Sequence, residues 1–193
     1  MIDLERISEK KILIIGDVGS GKTQLTAKII ESLLENKGKD NITIIDMAPS
    51  VIPKIGGKIS LYTNVLKLKY LTSQNIRAPR TEGKDKENVS SLANLNKNLI
   101  EPLIETYLNN PTEILIINDL SLYLHAGSIE KIEKCMDLAN TFIANAYYGK
   151  HFSDDRGSGI NEREKNLIEE LMKKFDEIIR MDSSKRQVHN DDK

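Results

Sequence analysis

The sequence predicts an α/β fold, a three-layer α/β/α sandwich around a mostly parallel central sheet, and three observations carry that expectation. The apolar, β-branched run Lys11-Ile12-Leu13-Ile14-Ile15 enters a glycine-rich turn and leaves it as the helix-forming segment from Gln24 to Ile30. A second β-branched run, Asn41 to Asp46, follows one helix later, the spacing of a right-handed strand–helix–strand crossover. Two further apolar runs, 113–119 and 141–148, alternate with stretches of helical periodicity.

Composition sets the outer bounds. The chain has 193 residues, enough for one sizeable core. Residues 1–182 are therefore expected to form one domain, and 183–193, where only Val188 is apolar, a flexible tail. Charged residues make up 30% and the formal net charge is -1, so no global basic field points to nucleic acid. Cys135 is the only cysteine and cannot form an internal disulfide. With no leader-like segment and no apolar run of about 18 residues, a cytoplasmic protein with no membrane partner is expected.

The first element carries the chemistry. Gly16, Gly21, Lys22 and Thr23 fit the spacing G-x-x-x-x-G-K-[ST] between a strand and a helix. Gly16, Gly19 and Gly21 let the backbone bend so that successive N–H groups converge on phosphate oxygens, with the helix N-terminus adding positive charge. On these residues the chain resembles the P-loop NTPase superfamily. The resemblance implies that residues Gly16, Asp17, Val18, Gly19, Ser20, Gly21, Lys22, Thr23 and Gln24 bind a nucleoside triphosphate. It further implies that Lys22 reaches the β- and γ-phosphates and that Thr23 offers its hydroxyl to Mg²⁺.

The later elements follow in order. The helix after the turn buries Leu25, Ile29, Leu33, Ile30 and Leu34 and ends at Lys37-Gly38. Asp46 closes the second strand at the edge that faces ligand in an open α/β sheet, where it could orient a water, a metal or a substrate hydroxyl; a turn-forming role is the alternative. Pro53, Gly56 and Gly57 mark turns, and residues 64–71 are read as a third strand. Arg77 and Arg80 lie in a stretch read as a solvated loop, with contact to phosphate or carboxylate as the alternative. A helix over 87–108 is expected to bury Val89, Leu92, Leu95, Leu99, Leu103 and Tyr107 and to break or restart at Pro102. The run 113–119 resembles the superfamily's second strand motif, which makes Asp119 the Mg²⁺ partner of Thr23, while Asn118 stands where a double acid is commoner. Ser121, Tyr123 and His125 are expected near the same edge, His125 as a packing residue. Ser128 caps a helix over 129–138, and the segment 149–159 is read either as a lid bringing Lys150 or Arg156 to phosphoryl oxygens or as a solvated connection. Asn161 is expected to cap the next helix with Glu164 closing a capping box, and 176–181 to form the last strand.

Function follows from the resemblance. No N-K-x-D guanine-reading motif is present, which favours ATP over GTP. An Mg²⁺-dependent ATPase is the leading expectation, with Lys22, Asp119, Asp46 and Arg156 as the catalytic set and loose similarity to RecA-type ATPases. The alternatives are a small-molecule kinase, similar in layout to nucleoside-type kinases and faintly to adenosylcobinamide kinase, and a non-enzymatic nucleotide-dependent scaffold. The partner or acceptor stays open, and a homo-oligomer is compatible with the sequence.

Overall fold

The computed structural model describes residues 7–50 and 57–182. The tail at 183–193 and the turns expected at Pro53 and Gly56 lie outside the described residues. The elements run β1 (Lys11–Gly16), α1 (Lys22–Lys37), β2 (Ile42–Asp46), β3 (Lys69–Thr72), α2 (Pro79–Glu82), α3 (Lys86–Asn109), β4 (Ile114–Asn118), α4 (Ser121–Leu124), α5 (Ile129–Leu138), β5 (Thr141–Tyr147), α6 (Ile160–Met172) and β6 (Glu177–Met181). The strands form one six-stranded sheet in the order β3-β2-β4-β5-β1-β6, and every pair is parallel.

Alternation along each strand sorts the apolar side chains onto two faces. Ile12, Ile14, Ile42, Ile44, Ile114, Ile116 and Ile143 meet Ile29, Ile30 and Leu33 of α1. Leu13, Ile15, Ile45, Leu115, Ile117, Phe142 and Ala144 meet α3, α5 and α6 through Ile100, Ile104, Ile132, Met136, Ile168 and Leu171. Near-continuous burial of strands is what a parallel sheet covered on both faces requires, and each fully buried Ile or Leu contributes about 1.5–3 kcal/mol. The three-layer expectation therefore holds.

Four local expectations are corrected. The third strand is only Lys69–Thr72; residues 64–68 turn, and Leu66 is 89% exposed. Helix α3 runs unbroken through Pro102, whose exposed ring lies on the outer face. Its buried line is Val89, Ala93, Asn96, Ile100, Ile104 and Tyr107, not the leucine line, because Asn96 turns inward to bind both backbone groups of Arg77. Helix α6 starts after Gly159, a left-handed cap at φ 82°, so Asn161 lies inside it and Glu164 closes no capping box.

Since all six strands point the same way, their carboxyl ends share one edge. Gly16, Asp46, Asn118 and Tyr147 all end strands there, which is where open α/β sheets bind ligand.

Candidate nucleotide site

The turn after β1 is shaped by its glycines. Gly19 and Gly21 have φ of 70° and 92°, a left-handed conformation that residues with a Cβ adopt at a cost. A Cβ on Gly16 would come within 2.5 Å of the Met181 carbonyl oxygen and 2.7 Å of Ser20 Oγ, so the close approach of β6 requires glycine. Helix α1 begins at Lys22 and aims its N-terminal amides at the concavity. The Lys22 ammonium spans the turn, donating to the carbonyls of Gly16 (2.9 Å) and Asp17 (2.7 Å). Burial holds its pKa below the usual lysine value, while Asp119 and Asp17 pull the other way.

Strand β5 lies between β1 and β4, so the turn and Asp119 stand two strand spacings apart, roughly 10 Å. That interval accommodates a hydrated ion. Asp119 sits just past β4 in a left-handed conformation, φ 57°, with its amide donating to Asn145 Oδ1 (2.9 Å) and its carbonyl accepting from Leu122. Its carboxylate takes no hydrogen bond from the protein among the described residues. Burial pushes its pKa from 3.8 up to about 6, against the pull of Lys22 and Arg80. Thr23, in the first turn of α1, keeps its hydroxyl clear of any protein partner among the described residues. A hydroxyl and one unpartnered carboxylate fit Mg²⁺, which takes few protein ligands and keeps its waters.

Asp46 is placed differently from its expected role. Its carboxylate accepts from Ala48 N (3.1 Å), Asn118 Nδ2 (2.8 Å), Ile59 N (2.7 Å) and the Tyr70 hydroxyl (2.5 Å). Four donors saturate it, which leaves it a buried brace rather than a group for orienting water. Lys58, also buried, ties down the adjoining backbone through Ala48 O, Ser73 O and Thr72 Oγ1.

Arg156 does not join Lys22 and Asp119. It is exposed, pairs with Asp154 and has φ of 57° in its loop. The segment around it folds onto the phosphate turn: Asp17 accepts from the amides of Lys150 (3.1 Å) and His151 (3.3 Å), and a Cβ on Gly149 would come within 2.5 Å of the Asp17 carboxyl carbon. The amides of Lys150, Val18 and His151 hold the Asp17 pKa low against a burial effect that pushes it up.

A second buried cation at this edge, besides Lys58, is Arg80 on α2, which corrects its reading as a solvated loop residue. Its side chain is 5% exposed. It forms an ion pair with Glu164, donates to His125 Nε2 at 2.9 Å, and places its guanidinium carbon 5.1 Å from the ring centroids of Tyr147 and Phe152. Burial lowers its pKa to about 10, opposed by Tyr147, Asp119 and Asp155. His125 is buried as expected and held well below its normal pKa by desolvation and by Arg80. Asn145, also missed from sequence, donates to Thr26 Oγ1 (2.9 Å) and Asn118 Oδ1 (2.8 Å). The one signal for it was a polar residue inside the apolar run 142–146; for Arg80 it was Pro79, suited to the first position of a helix.

Comparison with known proteins places this geometry. The family model described as "Helicase HerA, central domain" matches residues 1–49, the segment that holds β1, the glycine turn, α1 and β2. No curated protein matches the chain. Among solved structures it is similar to the flagellar accessory protein FlaH from Methanocaldococcus jannaschii, at 13% identity and a TM-score of 0.54, covering 93% of this chain and 76% of that one. Lesser likenesses are the Pif1 helicase from Candida albicans (15% identity, TM-score 0.41, 93% of this chain and 37% of that one) and the Hef helicase domain from Pyrococcus furiosus (14%, 0.45, 93% and 36%). The chain thus spans little more than a third of either helicase chain. Among the described residues no helix is long and apolar enough to cross a membrane. A phosphate-shaped turn between the first strand and first helix, an acid two strands away, and an all-parallel sheet that carries both give this chain the α/β fold of the P-loop NTPases, to which it is similar.

Proposed function

We propose that the chain binds Mg²⁺ and a nucleoside triphosphate, ATP in preference to GTP, and hydrolyses the terminal phosphate. The observation that carries this reading is the pairing of the Lys22 turn with an Asp119 carboxylate that has no donor among the described residues. The turn's amides and the α1 N-terminus would take the phosphates, with Lys22 exchanging two carbonyl acceptors for phosphate oxygens. Thr23 and Asp119 would hold the metal, which supplies charge neutralisation between the β- and γ-phosphates. Burial raises the Asp119 pKa to about 6, so metal binding should strengthen as the pH rises through that value.

Hydrolysis is favoured over transfer to a small acceptor by the 149–152 backbone. It folds onto Asp17, and Phe152 packs on Tyr147 and Arg80, so protein fills the ground beside the turn. The partial match to the HerA central domain supports an ATPase whose turnover serves a further partner or domain. The test is phosphate release from Mg·ATP with no acceptor present. Slow steady release that Lys22→Ala abolishes supports the reading. Release only on adding a small-molecule acceptor would replace it with a kinase, and tight binding without turnover in either case would replace it with a nucleotide-dependent scaffold.

A further inference from the structure

The buried side-chain atoms that have no hydrogen-bond partner among the described residues gather in one place: Arg80 Nε, His125 Nδ1, Glu164 Oε1, Ser158 Oγ and Asn161 Oδ1. Three of them belong to the triad of Arg80, His125 and Glu164, whose side chains are 5%, 1% and 3% exposed. Arg80 reaches both partners through Nη2, which leaves its Nε–H unused. A guanidinium only donates, so His125 Nε2 accepts and the ring proton resides on the unpartnered Nδ1. Glu164 likewise offers one oxygen to the pair and keeps the other unpaired. Each member is thus one partner short.

A buried ion pair left incomplete in this way is a costly way to hold a fold together. It suits a group with a second resting place. The surroundings permit one. Tyr147 and Phe152 hold the guanidinium by their faces, which stabilises charge without tying it to one acceptor. Tyr147 is the register partner of Gly16, so this stacking surface adjoins the phosphate turn. On the other side a cavity of about 130 Å³, bounded by His125, Ala93, Ser158, Ile160 and Arg163, gives the ring and α6 room to adjust.

We propose that Arg80 is a two-position cation: paired with Glu164 and His125 in this structure, it moves its guanidinium onto the terminal phosphate oxygens of a bound triphosphate and so passes the state of the nucleotide to α6 and to residues 149–159. The inference rests on the nucleotide reading above. A phosphate group carries more charge than a carboxylate and accepts the planar fork in two bonds, so it outcompetes Glu164. His125 Nε2 stays 3.8 Å from the Glu164 carboxylate and, once the neighbouring cation has left, can take a proton and serve as its partner. Phe152 loses its stacked cation, and α6 loses its tie to α2.

The chain contains no tryptophan, so Phe152→Trp places a single indole, excited selectively over the tyrosines, against the guanidinium. Its emission is expected to change on adding Mg·ADP with aluminium fluoride, which mimics the transferring phosphoryl group, and not with Mg·ADP alone. In F152W/R80Q that change should vanish. R80Q in the otherwise unaltered chain should lose about 10²–10³-fold in kcat with KM within about threefold. R80Q/E164Q removes both charges together; a retained far-UV spectrum and melting point with the same loss of kcat separates the effect from misfolding. E164Q alone should keep the emission change. An emission change that survives R80Q, or wild-type turnover in R80Q/E164Q, overturns the inference and leaves the nucleotide site standing. Failure of the unaltered chain to bind either ADP complex would remove the nucleotide reading, and this inference with it.

Discussion

Replacing Asp119 by Asn should make the protein more stable while disabling it. Asp119 sits at φ 57°, a conformation Asn adopts as readily as Asp, so the backbone is undisturbed. The carboxylate takes no donor among the described residues, and burial raises its pKa from 3.8 to about 6. An acid whose folded pKa is raised binds its proton more tightly in the folded state. Its contribution to stability is therefore neutral below about pH 4, becomes unfavourable as pH rises from 4 to 6, and stays so above. At 1.36 kcal/mol for each unit the full penalty is about 3 kcal/mol. Because the raised value is already net of the attraction to Lys22 and Arg80, losing those attractions needs no separate subtraction. Asp119→Asn should thus match the wild type at pH 4 and exceed it by up to about 3 kcal/mol at pH 7.5, a melting point higher by roughly 6–12 °C for a domain of this size. Thermal and urea melts at the two pH values, in EDTA, measure it. Saturating Mg·ATP should narrow or invert the gap, since ligand at about 100 times its Kd adds about 2.7 kcal/mol to the wild type alone. A variant less stable than wild type at pH 7.5 would mean that the carboxylate is a structural acceptor, and the metal assignment would fall.

Lys22→Ala should weaken ATP binding by about 100-fold or more while shifting the melting point little; calorimetry showing unaltered affinity refutes the site. Gly16→Ala drives a methyl group against the Met181 carbonyl and Ser20 Oγ, and should lower stability by about 2–4 kcal/mol in urea melts together with nucleotide affinity. Asn145→Ala removes partners from Thr26, Asn118 and the Asp119 amide at once; a loss of about 2–4 kcal/mol and a fall in kcat are expected, and a loss below 1 kcal/mol would count against the brace. Arg156→Ala, where the sequence suggested a catalytic cation, should change kcat by less than twofold in the phosphate-release assay.

Local patterns recover most of this fold. The glycine turn, the β-branched runs and Asp119 are each marked within a few residues, so the parallel sheet and its phosphate turn are readable from spacing alone. The leucine line of α3 misleads because periodicity counts apolar residues, whereas the helix turns Asn96 inward to satisfy the backbone ahead of α2. Arg80 and Glu164 are 84 residues apart and each looks like an ordinary surface charge; only the packing of α2 against α6 buries them together. Arg156 shows the opposite error, since its glycine-rich, charged surroundings suggest a lid while its guanidinium, among the described residues, meets the neighbouring Asp154.

The polar side chains along the carboxyl edge account for how the Asp119 backbone is held. From α1 to β3 they form one chain: Thr26 accepts from Asn145, Asn145 donates to Asn118, Asn118 donates to Asp46, and Asp46 accepts from Tyr70. Asn145 alone touches three of the relevant parts, since its oxygen also receives the Asp119 amide. Four strands are thereby cross-linked at the height where phosphate chemistry would occur, and each link is a buried group that loses about 1–3 kcal/mol if its partner is removed. This fixes the Asp119 backbone in a left-handed turn while its carboxylate takes no hydrogen bond among the described residues. Asp46 also stands at the carboxyl end of a strand yet is consumed by the chain, because it lies between two donors, Asn118 and Tyr70. The difference between a saturated carboxylate and one left without a donor is thus set by which neighbours carry N–H and O–H groups. Asn118, standing where a second acid is commoner, is the residue that decides it: an acid there would face Asp46 as a like charge, and the chain could not close.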